Sequence, residues 1–185
     1  SHHLRVRRVG SGEVVDLRDG AGLAGRGVLE ASGREWFVTV TEAATMPPPA
    51  GLTLAVGAGD RERFLWLVEK APELGVSRVV PPETERTAGV ATRIRSSHIE
   101  KLARRAVEAT KQSGAYWSPE IGDLEAVGHF IAQARSGSRW LADAGGASPE
   151  TGPGDITVLI GPEGGLTPAE RADAVAAGWT AVSLG

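Results

Sequence analysis

The stretch Ile156-Thr157-Val158-Leu159-Ile160-Gly161-Pro162-Glu163-Gly164-Gly165 decides the fold. Its first five residues are apolar or β-branched and do not alternate with charged ones. That is the pattern of a strand covered on both faces, as in parallel sheets flanked by helices. A glycine-rich loop follows. Thr167-Pro168-Ala169-Glu170 then opens a helix with a capping hydroxyl, a proline at the first helical position and a reciprocal glutamate. Open α/β sheets bind ligands just beyond such strand ends. Gly161, Gly164 and Gly165 let main chain approach a ligand closely and can take positive φ, and Glu163 carries a charge into the same loop. No Gly-Lys-Ser/Thr follows and the spacing is not GxGxxG, so nucleoside triphosphate and dinucleotide loops lose support. Taken alone, the loop is equally a tight strand–helix turn with a solvated glutamate.

Upstream and downstream, strands alternate with helices. Leu52–Val56 reads as a strand. Arg61–Leu74 is helical, with Phe64, Leu65, Val68, Ala71 and Leu74 on one face, Pro72 distorting the last turn and Gly75 closing it. Val76–Val80 is the next strand. Ser97–Lys111 is a second helix, opened by Ser97 with Glu100, its apolar stripe Ile99, Leu102, Ala103, Ala106 and Ala109. Leu124–Ala134 is a third helix and Trp140–Ala142 a strand. The last helix is expected to bury Ala172, Val175, Ala176 and Trp179, and Thr180–Leu184 is the final strand. This order predicts a parallel sheet covered by helices. Residues 1–42 differ: Val14, Val15 and Leu17 precede the turn Asp19-Gly20, and Val28–Glu30 and Trp36–Val40 flank Ser32-Gly33. They predict a small barrel or sheet. Met46-Pro47-Pro48-Pro49-Ala50 reads as a stiff linker, dividing the chain into residues 1–45, 46–51 and 52–185.

Composition narrows the function. A chain of 185 residues with 41% hydrophobic content can fill a core. With no cysteine, disulfides, thiol nucleophiles and cysteine-held metals are excluded. No run of 18 apolar residues predicts a membrane span, and no apolar segment follows Arg5, Arg7 and Arg8 to make a signal peptide; a cytoplasmic protein is the simplest reading. His98 and His129 have no partners at ligand spacing, so no metal is expected. Net charge is −3, yet residues 86–111 carry Arg86, Arg93, Arg95, Lys101, Arg104, Arg105 and Lys111 against Glu100 and Glu108, a local +5. Such a face is either simply solvated or a track for an RNA backbone shared with Arg5, Arg7 and Arg8. The neighbouring Tyr116 and Trp117 are either base-stacking residues, worth ~1–3 kcal/mol per base, or anchors of a subunit interface.

Several segments carry a family resemblance. Gly161-Pro162-Glu163-Gly164-Gly165-Leu166-Thr167-x-x-Glu170 resembles the GPEGG(F/L)(S/T)xxE signature of the RsmE family. In the same order, Gly59-Asp60-Arg61 with Glu69-Lys70-Ala71-x-Glu73-Leu74-Gly75-Val76 resembles its first helix, and Glu85-Arg86-Thr87 its ERS/ERT loop. Glu108-Ala109-x-x-Gln112-Ser113-Gly114 with Pro119-Glu120-Ile121 resembles EAxxQSxR…PxI, and Val182-Ser183-Leu184-Gly185 its closing LG motif. The match spans residues 52–185, and residues 3–20 are similar to the start of the family's PUA-like β-barrel. The resemblance implies an α/β SPOUT trefoil-knot methyltransferase domain after a PUA-like barrel truncated at its N-terminus. It further implies a homodimer using S-adenosyl-L-methionine to methylate N3 of a uridine in 16S rRNA (helix 44, decoding region), within the assembled small ribosomal subunit. The rivals are a SPOUT methyltransferase acting on another RNA and a non-catalytic PUA-type RNA-binding module. Carried over residue by residue, the cofactor would lie against Leu141, Ala142, Asp143, Ile160, Gly161, Pro162, Glu163, Gly164, Gly165, Leu184 and Gly185. Glu163 and Arg86 are the catalytic candidates. The chain departs from the family at Ala58, usually lysine, at Ala115, usually arginine, and at Tyr116-Trp117. The sequence ends at Gly185, ahead of the arginine-containing turn and last helix that close the family's pocket.

Overall fold

The computed structural model describes residues 10–133, 136–150 and 152–184. The first region forms three antiparallel strands, β1 (Val14–Arg18), β2 (Leu23–Ser32) and β3 (Glu35–Thr45), in the order β1-β2-β3. Asp19 builds the first turn: its Oδ1 accepts from the amides of Ala21 at 2.7 Å and Leu23 at 2.9 Å. The expected barrel or sheet is thus a sheet among the described residues, with Val14, Leu23, Phe37 and Val40 each at least half exposed.

The rest of the chain alternates β4 (Leu52–Val56), α1 (Arg61–Lys70), β5 (Arg78–Val80), β6 (Pro82–Glu83), α2 (Glu85–Ala88), a 3₁₀ turn (Ser96–His98), α3 (Ile99–Ser113), β7 (Glu120–Ile121), β8 (Glu125–Ala126), α4 (Val127–Ala132), β9 (Ser138–Ala147), β10 (Ile156–Ile160), α5 (Pro168–Ala176) and β11 (Thr180–Val182). Six strands form one sheet in the order β11-β9-β10-β4-β5-β7, with every pairing parallel. On one face, Phe64 and Val68 of α1 and Ala71 just after it pack with Leu102 and Ala106 of α3 and with Val79. On the other, Phe130 and Ile131 of α4 pack with Leu159, Ala174 and Trp179. Trp179 donates its indole N–H to the Ile131 carbonyl at 3.3 Å, so its polar edge is satisfied inside the core.

Element ends differ from the sequence reading for local reasons. α1 stops at Lys70 rather than Leu74, because Pro72 has no amide to continue the helix; Leu74 is exposed. α3 is opened by the 3₁₀ turn and not by Ser97 with Glu100. There His98 Nδ1 accepts the Arg95 amide at 3.1 Å. Leu124 precedes the third helix, because Glu125 and Ala126 pair in parallel with Pro82 and Glu83; Ala134 lies outside the described residues. In α5 only Ala174 is buried. Ala172, Val175 and Ala176 line an open groove beside Arg86 and Arg171 instead of the core.

Tyr116 and Trp117 join the two regions. The Tyr116 carbonyl accepts the Gly22 amide at 3.0 Å, and its ring lies 4.7 Å below the Arg18 guanidinium. Ala21 and Trp117 form an antiparallel bridge. The Trp117 indole donates to the Pro47 carbonyl at 3.0 Å and stacks on Gly22, where a Cβ would stand 2.2 Å from the ring. The pair therefore binds the N-terminal sheet to the end of α3.

Candidate functional site

The strand order places a break at the centre of the sheet. From β4 the chain builds β5 and β7 to one side; it then crosses over and builds β9, β10 and β11 on the other. Loops at the ends of β4 and β10 diverge there, which is where open α/β sheets bind ligands. Main chain holds the two loops together: the Gly57 amide donates to the Ile160 carbonyl at 2.9 Å.

The β10 loop is a tight turn. The Gly165 amide donates to the Pro162 carbonyl at 2.7 Å, and Gly165 takes φ +71°, a conformation that favours glycine. At Gly161 a Cβ would lie 2.8 Å from the Leu166 nitrogen, so only glycine lets the turn close this far. Thr167 caps the helix beyond, accepting the Glu170 amide on its hydroxyl while Glu170 accepts the Thr167 amide at 2.7 Å.

A cavity of about 450 Å³ opens against this turn, within the range of small-molecule sites. Its walls are Leu141–Ala144 of β9, Ile160–Leu166, Arg86 of α2 and Arg171 of α5. The structure thus brings Leu141, Ala142, Asp143, Ile160, Gly161, Pro162, Glu163, Gly164, Gly165 and Arg86 around one space. Leu184 is 56% exposed and off these walls; Gly185 lies outside the described residues. β9 and β11 leave room for the cavity through a register jump: Leu141 pairs with Ala181, but Val182 pairs with Ala147. Ala142–Gly146 therefore stand out from the ladder.

Arg86 and Glu163 flank the same loop without meeting. Arg86 donates through Nη1 to the Gly164 carbonyl. Glu163 turns the other way and pairs with Arg63 Nη1 of α1 at 3.0 Å. Gly161, Pro162 and Glu163 thereby separate the first cavity from a second, mostly apolar one of about 470 Å³ that reaches Phe64 and Trp66. Arg171, which pairs with the nearly buried Asp143, escaped the sequence reading. So did Arg63 and the reach of Glu170 to the Glu85 amide at 2.8 Å. These contacts join residues far apart in the chain, and no local motif marks them. Among the described residues no group of three or more His, Cys, Asp or Glu can hold a metal ion, and no helix is long and apolar enough to cross a membrane.

The basic residues sort into two kinds. Arg93 faces Glu83 at 3.4 Å, Arg104 faces Glu100 at 3.8 Å, Arg105 meets Glu69 at 2.6 Å and Lys111 meets Glu108 at 2.8 Å. Arg95 and Lys101 stand with Arg61 around His98. Partial burial and then these three charges hold the imidazole below its usual pKa. Arg5, Arg7 and Arg8 lie outside the described residues.

The fold is a parallel sheet covered by helices, with a cavity beyond the ends of β9 and β10. Residues 46–185 match the RNA methyltransferase domain, and the chain belongs to that family. The chain is 31% identical over its whole length to the ribosomal RNA small subunit methyltransferase E of Synechocystis sp., of which it spans 64%. The crystal structure of a probable rRNA-methyltransferase from Porphyromonas gingivalis superposes with a TM-score of 0.83 at 31% identity, the chain covering all of itself and 81% of that protein. A ribosomal RNA small subunit methyltransferase E from Neisseria gonorrhoeae, solved bound to S-adenosyl methionine, gives 0.86 at 25% identity, with 100% and 79% covered. The motif resemblance to the RsmE family is borne out by these relatives.

Proposed function

We propose that the chain binds S-adenosyl-L-methionine in the 450 Å³ cavity and methylates N3 of a uridine in 16S rRNA. The observation that carries this reading is the convergence of Arg86, Leu141–Asp143 and Gly161–Gly165 on one cavity, whose turn has no room for a side chain at Gly161. The site fits the cofactor. Gly164 and Gly165 present main chain, and Arg86 lies over Gly164, its guanidinium bonded to the Gly164 carbonyl. Backbone groups of Leu141–Asp143 and Ile160–Gly165 would hold the adenosine part. When bound, the cofactor supplies an electrophilic methyl group on a sulfonium.

This chain's residues then have to position a base and let its N3 proton leave. A paired uridine hides N3, so the base has to be unpaired or turned out. Arg86 sits where the cavity meets the open groove along α5, which puts a fixed positive charge at the mouth through which a base would enter. Its charge favours the deprotonated, anionic uracil. Glu163, which pairs with Arg63, is the carboxylate carried over by the glycine-loop motif and the candidate proton acceptor.

In this reading residues 1–45 are a PUA-like RNA-binding region, 46–51 a linker and 52–185 a SPOUT methyltransferase domain with a trefoil knot, acting as a cytoplasmic homodimer on the small ribosomal subunit. Arg5, Arg7, Arg8, Arg86, Arg93, Arg95, Lys101, Arg104, Arg105 and Lys111 supply the RNA-facing charge. The test is titration calorimetry with S-adenosyl-L-methionine, followed by radiolabelled methyl transfer to small subunits lacking the modification and mass spectrometry of the product nucleoside. 3-Methyluridine is the expected product. Methyl transfer only to another RNA would move the substrate assignment, and absence of cofactor binding would leave a non-catalytic RNA-binding module. Light scattering that gives only a monomer would refute the dimer.

A further inference from the structure

We propose that Glu170 is a positioning residue: one carboxylate couples the cap of α5 to the turn that carries Arg86, and so sets Arg86 over the glycine loop. The inference rests on the cofactor reading above and extends it to a residue outside the cavity wall.

The geometry is specific. Glu170 Oε2 accepts the Thr167 amide at 2.7 Å, the ordinary reciprocal half of a capping box. Its second oxygen, Oε1, crosses to another part of the chain and accepts the Glu85 amide at 2.8 Å. Glu85 is the first residue of α2, and Arg86 the second. The first amides of a helical turn have no partner within it. The Thr84 hydroxyl does not serve Glu85, because a capping side chain reaches the second or third amide of the turn and not the first. Glu170 supplies the acceptor instead. Both oxygens are thus engaged, each by a fixed main-chain donor, so the carboxylate has a single orientation.

The consequence falls on Arg86. Its guanidinium donates to the Gly164 carbonyl, and Arg86 lines both the cavity and the groove along α5. α2 has only four residues, too few to hold a position without outside ties. Thr84 and Thr87 tie its underside to the core, and Glu170 ties its first amide to the same helix that the glycine loop enters. Loop and arginine thereby move as one body.

A glutamine at 170 keeps the shape but offers one acceptor and an NH₂ to two donors, so one of the two bonds is lost. Glu170→Gln is expected to weaken S-adenosyl-L-methionine binding about tenfold, the scale of one charge-assisted hydrogen bond. Arg86→Ala should do as much, and adding Glu170→Gln to Arg86→Ala should cost less than a further twofold. Thr167→Ala removes the capping hydroxyl but leaves both amide bonds to Glu170. It should lower the melting temperature while leaving cofactor binding within about twofold. Independent, additive losses in the double variant, or an equal loss of binding in Thr167→Ala, would overturn the positioning role. Amide hydrogen exchange on the free protein decides the matter even if the wild type binds no cofactor, a result that would sink the proposed function instead. Glu170→Gln should accelerate exchange at Glu85–Ala88 and Thr167→Ala should not. Unchanged exchange there would refute the coupling.

Discussion

Replacing Gly161 by alanine tests whether the pocket wall is made of main chain. The added Cβ would stand 2.8 Å from the Leu166 nitrogen, 2.9 Å from the Gly165 carbonyl carbon and 3.0 Å from Gly165 Cα. Ordinary carbon contacts begin several tenths of an ångström further out. All three atoms belong to the backbone of one turn, so no side-chain rotation relieves the contact. The turn has to open, stretching the Gly165–Pro162 hydrogen bond of 2.7 Å. Overpacking of this kind costs ~1–3 kcal/mol, which for a chain of this size lowers the melting temperature by roughly 2–4 °C per kcal/mol. If the same turn forms the cofactor wall, affinity falls about tenfold for each ~1.4 kcal/mol of distortion. Gly164→Ala is the control for stability, because its Cβ would meet only the flexible Arg86 side chain, at 3.4 Å. Thermal melts and calorimetry on both variants check the reasoning. Full affinity and stability in Gly161→Ala, or an equal fall in melting temperature in Gly164→Ala, would refute it.

Three further outcomes are expected. Trp117→Ala removes the ring packed on Gly22 and the bond to Pro47, so limited proteolysis between residues 46 and 51 should accelerate several-fold while cofactor affinity stays unchanged; identical cleavage rates would show that the two regions are held elsewhere. The folded pKa of His98 lies below its usual 6.5, so its contribution to stability is full above pH 6.5 and is lost as pH falls through the window beneath that value. His98→Gln should therefore flatten the decline in urea midpoint between pH 7 and 5, and an unchanged slope would count against it. Arg104→Ala and Arg105→Ala should each reduce the salt dependence of RNA binding, by ~0.7 in log–log slope for every phosphate that the arginine neutralises. Unaltered affinity and slope would make α3 a solvated face, its arginines occupied with Glu100 and Glu69.

What was legible in the sequence was what local pattern determines. The run Ile156–Ile160 sits at the centre of the sheet because residues buried on both faces must all be apolar or self-satisfying. The capping box at Thr167 and Glu170 was readable for the same reason: its partners are three residues apart. Long-range choices were not. Glu125 and Ala126 continue a helical-looking stretch, yet pair with Pro82 and Glu83, more than forty positions earlier. Val175 has the spacing of a core residue, but what lies opposite it is an open groove. Tyr116 and Trp117 look like surface aromatics until Gly22 and Pro47 are brought to them. Of the site, the glycine loop was readable as a motif, and the β9 segment only as a strand whose end the family resemblance assigned to the cofactor. Arg171 and the second reach of Glu170 depend on which elements become neighbours.

The placement of β4 beside β10 also governs how the protein folds. Leu52 pairs with Ile156, 104 positions downstream, along the line where the two halves of the sheet meet. Every local unit, such as α1 with α3 or the β1–β2 hairpin, can form before that pairing, but the cavity cannot. Its β9 and β10 walls lie close in sequence, but Arg86 is brought to them only when β4 zips onto β10. Closing so long a loop comes late and slowly in a folding reaction. Refolding followed by cofactor fluorescence quenching should therefore lag behind recovery of helical circular dichroism. Nascent chains should likewise hold β4, the earliest strand of the parallel sheet, unpaired on its β10 side until nearly all of the domain has left the ribosome.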